Sequence, residues 1–348
     1  MQKPPDPVFV GGNQSSRAII TKKVPKDSVK YSNHPHRLLN PIIEVMLLTA
    51  MIPLLSIQSS GKGRGSMKNV IRILVLVMLF VPFQFASAES KKQNVITLTA
   101  DQVDSADDIE AAIISATAQG TRPGTVILDG RNGAFVFSGE DRSLNLFVSN
   151  LNLRGVYEAV IENCDDGLFF DDFPLKNILV EGISFVCTGD GVEAAGAFKN
   201  VTLANNMFRA GNNGIGTNGA SSDWLIRDNV IWADLDGIQM SGAEKVEITK
   251  NQIHGYVGVS LLQTSQITVR RNEIGAVYQG VFLGQESWRD WVLANHISGV
   301  SAAGVALEVG VARNLIVANR VECADGIDCL RIDAAPETAK INIIAGNR

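Results

Sequence analysis

Histidine is scarce in this sequence, with four residues in 348. Only His254 and His296 lie beyond residue 88, and neither has a partner at the spacing of a metal site or a catalytic triad. Both read as ordinary corner residues, which leaves histidine-based metal or nucleophile chemistry without a framework. Aromatics are also few, at 6%, although 45% of residues are hydrophobic. The apolar content is therefore mostly small side chains, suited to a narrow stacked core. The four cysteines make no zinc spacing. Excess positive charge is absent too. Residues 1–88 carry 11 Lys/Arg against 3 Asp/Glu, and the remaining 260 carry 20 against 33, a net of −13. Such a surface repels phosphate, which excludes nucleic acid and anionic membranes as partners. An anionic polysaccharide would need a local basic patch or a cation.

What is present is a short recurring unit, from about residue 199 to the C-terminus. Its plainest copy is Val-Glu-Ile-Thr-Lys-Asn-Gln-Ile at 246–253, followed by Gly-Val-Ser-Leu at 258–261. The asparagine recurs at Asn206, Asn229, Asn251, Asn272, Asn295, Asn319 and Asn347, in steps of 21 to 28. The glycine recurs at Gly167, Gly191, Gly214, Gly237, Gly258, Gly280, Gly304 and Gly326, in steps of 21 to 24. Two independent markers on one period define a solenoid, with one supersecondary unit per turn.

Apolar pairs before the asparagine (Val201/Leu203, Trp224/Ile226, Val246/Ile248, Ile267/Val269) give a strand with one buried face. With coils about 4.8 Å apart, the Asn amides reach from coil to coil and form a ladder that satisfies polar groups in the bend. The glycines are expected to supply backbone freedom at the next corner. Gly155 and Gly182 stand where later coils carry the Asn, which makes the first coils looser. A leucine-rich repeat also alternates apolar residues before an asparagine. Here, however, a further strand replaces its helix, and Val and Ile outnumber Leu at inward positions. The expected fold is all-β, a single-stranded right-handed parallel β-helix of about 8–10 coils.

Upstream, Asp-Ser-Ala-Asp-Asp at 104–108 leads into Ile109, Ala112, Ile113 and Ala116 at helical spacing, with Gly120 as the stop. This helix is expected to cap the first coil. Residues 67–88 have the layout of a signal peptide. Lys68 and Arg72 form its basic region, 73–81 is apolar and too short to span a bilayer comfortably, and Ala86-Ser87-Ala88 is a small-x-small cleavage site. Cleavage is expected before Glu89, giving a secreted, periplasmic or cell-surface protein with no stable membrane insertion. Residues 1–66 read as a leader upstream of a true start at Met67, because Gly-Lys-Gly-Arg-Gly at 61–65 suits purine-rich codons of a ribosome-binding site. A genuine extension is the alternative. The organisation is then leader (1–66), signal peptide (67–88) and β-helix (89–348). The chain stops at Asn347-Arg348 as a coil reaches its corner, so a truncated C-terminus is expected. The sequence does not specify an oligomeric state.

Cys164 and Cys187 are 23 apart, one coil. They either bridge neighbouring coils in an exported protein or stack as free thiols. Cys323 and Cys329 flank Gly326, and in an extended segment they stand too far apart to bond each other.

The Asp-Ile-Glu-Ala-Ala-Ile helix at 108–113, the Gly-Thr-Val-Ile-Leu strand at 124–128 and the Asn/Gly coils are similar to the right-handed parallel β-helices of the pectate-lyase-like superfamily, over roughly residues 95–348. That superfamily holds polysaccharide lyases, hydrolases and epimerases, phage tailspikes and proteins of no known activity. The resemblance therefore implies fold, and function must come from the site. It also implies a cleft along the strands after each glycine. One residue before each glycine stand Asp190, Asn213, Asp236, Val257, Gln279, Ala303 and Asp325; two after stand Glu193, Gly216, Gln239, Ser260, Phe282, Ala306 and Asp328.

Asp190, Glu193, Asn213, Asp236 and Gln239 form the polar cluster, on three consecutive coils. Three readings are open. Asp190 and Asp236, two coils or roughly 9–10 Å apart, suit the acid and base of inverting glycoside hydrolysis, with Glu193 in support and Asn213 and Gln239 binding substrate. Clustered carboxylates also suit Ca²⁺. Asp and Asn before Gly are equally plain turn residues. Lys250 and Arg271, with Arg227 and Arg270, fall at successive Asn corners. They could bind an acidic sugar, or form a solvated face balanced by Asp228, Glu247 and Glu273. Tyr256, Trp288 and Trp291 could stack on sugar rings, whereas Trp224 belongs to the core. Thr-Gly-Asp-Gly-Val-Glu at 188–193 resembles the Asn-Thr-Asp-Gly-Ile-Asp segment of polygalacturonases. The next coil offers Asn212-Asn213-Gly214 in place of paired aspartates, and neither Gly-His-Gly, Arg-Ile-Lys nor the pectate-lyase basic motif follows. The expected function is an exported β-helix that binds or processes a polysaccharide by lyase, hydrolase or epimerase chemistry. A non-catalytic adhesion module and a passive stalk are the alternatives.

Overall fold

The alternating stretches before each asparagine become one parallel sheet. In the computed structural model, which describes residues 94–139, 142–170, 173–333 and 342–348, this first sheet has eleven strands, from Asn94–Thr99 to Ile343–Ala345. The leader and signal-peptide readings lie outside the described residues. A second set of strands follows each asparagine and a third follows each glycine. The two sets join into one sheet because two coils run through the bend as single long strands, Gln252–Leu262 and Glu273–Gly284. The result is a right-handed parallel β-helix of about nine turns. Among the described residues no helix is long and apolar enough to cross a membrane.

Register puts like on like. In the first sheet Leu203, Ile226, Ile248, Val269, Val292 and Ile316 stack inward, each at 0% exposure. The second contributes Phe185, Phe208, Ile231, Ile253, Ile274 and Ile297. Each such side chain stabilises the fold by about 1.5–3 kcal/mol on burial. Trp224 fills the core, and its indole N–H donates to the Phe198 carbonyl at 3.3 Å. The N-terminal opening is covered by helix α1, Ala106–Thr117, which packs Ile109, Ala112, Ile113 and Ala116 over the first coil. Asp108 accepts the Ser105 N–H at its start. The helix ends at Ala118 in the left-handed conformation (φ 47°), before Gly120 is reached.

The asparagines form a continuous ladder. Each Oδ1 accepts the backbone N–H of the preceding asparagine, from Asn206–Asn229 at 2.9 Å to Asn319–Asn347 at 2.9 Å. Each Nδ2 from Asn206 on reaches back to a strand carbonyl one coil earlier, as Asn251 does to Ile226 at 3.0 Å. The residue just before the ladder is left-handed in coil after coil: Asn205, Asp228, Lys250, Arg271, Ala294 and Ala318, with φ between 52° and 58°.

Four expectations need correction. Gly182 is not a substitute for the ladder asparagine. It occupies the left-handed position before it (φ 74°), and the ladder position itself is Ile183, whose N–H donates to Asn206 Oδ1 at 3.1 Å. The recurring glycines do not serve backbone freedom either. At Gly258 a Cβ would lie 2.2 Å from Ile274 Cγ2 of the next coil, so glycine is needed for close approach. Cys323 and Cys329 do bond each other, because the chain between them turns at Asp325-Gly326 (φ 78° at Gly326) and brings their Cα atoms to 5.7 Å. That turn also takes Gly326 and Asp328 out of the repeat. Ala306 stacks on Arg331, not on Asp328. Cys164 and Cys187 are bonded across neighbouring coils, with Cα atoms 4.5 Å apart.

Candidate functional site

The residues before each glycine form a second ladder, of opposite sense to the asparagine one. Here each backbone N–H donates to the side chain of the coil before. Asp166 N–H donates to Ser143 Oγ (3.1 Å), Asp190 N–H to Asp166 Oδ1 (2.8 Å), Asn213 N–H to Asp190 Oδ1 (2.9 Å) and Asp236 N–H to Asn213 Oδ1 (3.2 Å). Val257 follows in register on Asp236 and has no polar side chain to extend the series. Asp236 is thus the last carboxylate of the row. Burial pushes its pKa up to about 6, with the Ser260 hydroxyl partly opposing the shift. Burial also raises Asp190, moderated by its hydrogen bonds with Asn213 and helped by the Asp166 charge.

Two residues beyond each glycine, the outward row reads Glu193, Gly216, Gln239, Ser260, Phe282 and Ala306. Gly216 interrupts it. A Cβ placed there would lie 3.3 Å from Asp190 Oδ2 and 3.7 Å from Asn213 Nδ2. Both side chains therefore lean over the glycine, with Glu193 and Gln239 on the flanking coils. Asp190 and Asn213 meet over this notch, whereas the Asp236 carboxyl bonds Ser260, two coils on from Gly216.

The other expected binding residues are divided. Tyr256, exposed, sits at the bend immediately before Val257 and stacks on Tyr278 with ring centroids 5.1 Å apart. Lys250 and Arg271 do not join the cluster. They project from the left-handed corner at the far edge of the second sheet, up to roughly 20 Å away at about 3.3 Å per residue. Trp291 faces outward on the first sheet, and Trp288 carries the Arg289 guanidinium over its ring at 4.4 Å. His254 is no corner residue: it lies within the Gln252–Leu262 strand and stacks on Trp232. His296 faces Glu322 at 3.1 Å. Asp166 was missed, although Asp166-Gly167 precedes Asp190-Gly191 by one period. The Trp232/His254 and Tyr256/Tyr278 pairs, each 22 apart, carried the same signal.

The sequence matches the profile of the family described as periplasmic copper-binding protein (NosD), over residues 125–306 and again over 176–347. The chain belongs to the NosD family. No curated protein matches it. Among solved structures it is similar to the A-module of the mannuronan C-5 epimerase AlgE4 of Azotobacter vinelandii (16% identity, TM-score 0.44, covering 71% of this chain and 95% of that one). It is also similar to the Dettilon tailspike protein (12%, 0.42, 74% and 70%) and to DFA-IIIase of Arthrobacter chlorophenolicus A6 (12%, 0.45, 73% and 99%). These likenesses transfer no residue role.

The family description raises a copper site, and the donors of this NosD-family chain do not fit one. All four cysteines are in disulfides. The two described histidines are committed to Trp232 and Glu322. Among the described residues no three His, Cys, Asp or Glu side chains gather as a cation site.

Proposed function

We propose that this NosD-family chain is an exported β-helix that binds polysaccharide on the outward face of the strands that follow each glycine and processes it at the Gly216 notch. One observation carries the reading: a row of side chains is interrupted by a glycine beneath the hydrogen-bonded carboxylate of Asp190, and the same row ends in the protonatable carboxylate of Asp236. Asp236, with a pKa of about 6, is suited to donate a proton to a leaving oxygen near neutral pH. Asp190 keeps Oδ1 on the Asn213 N–H, which leaves Oδ2, over Gly216, to accept a proton from water. Their two-coil separation, roughly 9–10 Å, favours inversion over a covalent intermediate. Glu193 supports the pair, and Asn213, Gln239 and Tyr256 bind hydroxyls or a ring face. Export is supported by the signal-peptide layout of 67–88 and by the periplasmic description of the family.

The test is a panel of polysaccharides assayed for new reducing or unsaturated ends, with and without Ca²⁺. Turnover that survives in Asp236→Asn removes the acid role. A second reading, a non-catalytic binding module, is favoured by the ladder itself, because Asp166, Asp190 and Asn213 all serve backbone N–H groups. Binding without turnover on every substrate would select it.

A further inference from the structure

The outward face of the second sheet carries a groove that the carboxylate row does not use. It has a volume of about 490 Å³ and draws three residues from each of three consecutive coils: 186–188, 209–211 and 232–234. In register, Val186, Arg209 and Trp232 stack as one outward row, and Cys187, Ala210 and Ala233 lie beside them. The small side chains of Ala210 and Ala233 keep the floor low. Gly211 adds no side chain at all, because a Cβ there would lie 2.2 Å from the Thr188 carbonyl oxygen.

Trp232 forms one wall. It is 50% exposed. Its indole lies on the His254 imidazole of the next coil, with ring centroids 3.8 Å apart and planes within 10°. His254 in turn lies over Gly275, where a Cβ would come within 2.7 Å of Nδ1. The glycine thus makes room for the imidazole, and the imidazole fixes the indole. One indole face is covered by His254, and the opposite face looks along the groove toward the coil of Arg209.

Arg209 is exposed, and among the described residues its guanidinium has no carboxylate or hydrogen-bond partner. A planar five-donor fork left open to solvent suits a carboxylate or sulfate. At the opposite rim, Asp234 and Thr188 offer hydrogen bonds of the kind a sugar hydroxyl takes. A rigid indole face, a free guanidinium and a hydroxyl-binding rim within one groove match a pyranose ring that bears a negative group.

We propose that this groove binds one acidic sugar unit of a polysaccharide, ring on Trp232 and anionic group on Arg209. The inference rests on the polysaccharide reading above and names its substrate class. It places the contact on the second sheet, away from Lys250 and Arg271.

The full chain is titrated with trigalacturonate, a sulfated trisaccharide and neutral cellotriose, followed by tryptophan fluorescence and calorimetry. Binding of an acidic trisaccharide, weakened by added salt, and none of cellotriose is the expected result. The carboxylated and sulfated probes report which anion Arg209 takes. Arg209→Gln is expected to weaken binding about tenfold and Trp232→Ala to abolish it. Equal binding of cellotriose, no binding of either acidic probe, or wild-type affinity in both Arg209→Gln and Trp232→Ala overturns the proposal. If acidic sugars bind and only Asp236→Asn matters, the groove fails while the notch stands. If Arg209→Gln matters and no substrate is turned over, the notch fails while the groove stands.

Discussion

Asp190 Oδ1 accepts the backbone N–H of Asn213, one coil on, at 2.9 Å. One coil later, Asn213 Oδ1 accepts the N–H of Asp236 at 3.2 Å. An amide therefore does the structural task of a carboxylate in the same row, and Asp190→Asn separates that task from chemistry. Its melting temperature is expected to match wild type, within about 0.5 kcal/mol. Asp190→Ala removes the acceptor from Asn213 and is expected to cost about 1–3 kcal/mol. Equal losses in the two variants would mean that charge, not the acceptor, holds the coil. On a turned-over glycan, Asp190→Asn is expected to be inactive despite its stability.

The buried asparagine ladder predicts a gradient of cost. Asn251 Oδ1 accepts the N–H and the Nδ2 of Asn229 at 2.9 and 3.0 Å, and its Nδ2 donates to Ile226 O and Asn272 Oδ1, both at 3.0 Å. Asn251→Ala leaves these groups buried without partners, for a loss of about 2–4 kcal/mol. Asn347 makes similar bonds but is partly exposed, so water replaces them in Asn347→Ala and the loss is about 1 kcal/mol or less. Urea denaturation midpoints distinguish the two. Similar midpoints would show that burial is not what makes the ladder costly to break.

The Cys164–Cys187 bond closes one coil of 23 residues. Chain-entropy reasoning gives about 3 kcal/mol for a loop of this size. The double variant Cys164→Ser/Cys187→Ser is expected to melt lower than wild type by that amount. Reducing agent should lower wild type more than the variant, which keeps only the Cys323–Cys329 bond and its shorter loop.

The coil was legible because two markers, Asn and Gly, repeat on one period and each has a geometric cause. The asparagine satisfies a bend, and the glycine yields to the next coil's isoleucine. The grouping of Asp190, Glu193, Asn213, Asp236 and Gln239 followed from that register alone. Spacing does not carry direction or depth. It could not show that Asp190 and Asn213 turn back onto backbone N–H groups, or that Lys250 and Arg271 occupy a left-handed corner at another edge. The Trp232–His254 stack escaped notice because it lies in the second sheet, where outward residues show no consensus. The Cys323–Cys329 turn escaped because an inserted loop and a true coil have similar lengths.

Asp290 is the least expected residue of the core. By register it occupies the inward position held by Trp224, Val246 and Ile267 in the preceding coils. Its carboxylate accepts the Ile267 N–H at 2.8 Å and the Thr264 hydroxyl at 2.7 Å. Burial outweighs these bonds and raises its pKa to about 6. An unfolded Asp titrates near 3.9, so the folded state binds this proton more tightly. The resulting stabilisation is fully present below about pH 4 and is lost as pH rises through about 6. A rise of this size corresponds to roughly 3 kcal/mol of preference for the protonated form. The next residue in the column, Asn314, accepts the Asp290 N–H at 2.8 Å with an amide, so an amide fits this row. Asp290→Asn is therefore expected to match wild type near pH 4 and to melt higher near pH 8. Thermal melts across that range test it. An unchanged pH slope would move the origin of the effect to Asp236, the other carboxylate raised to about 6.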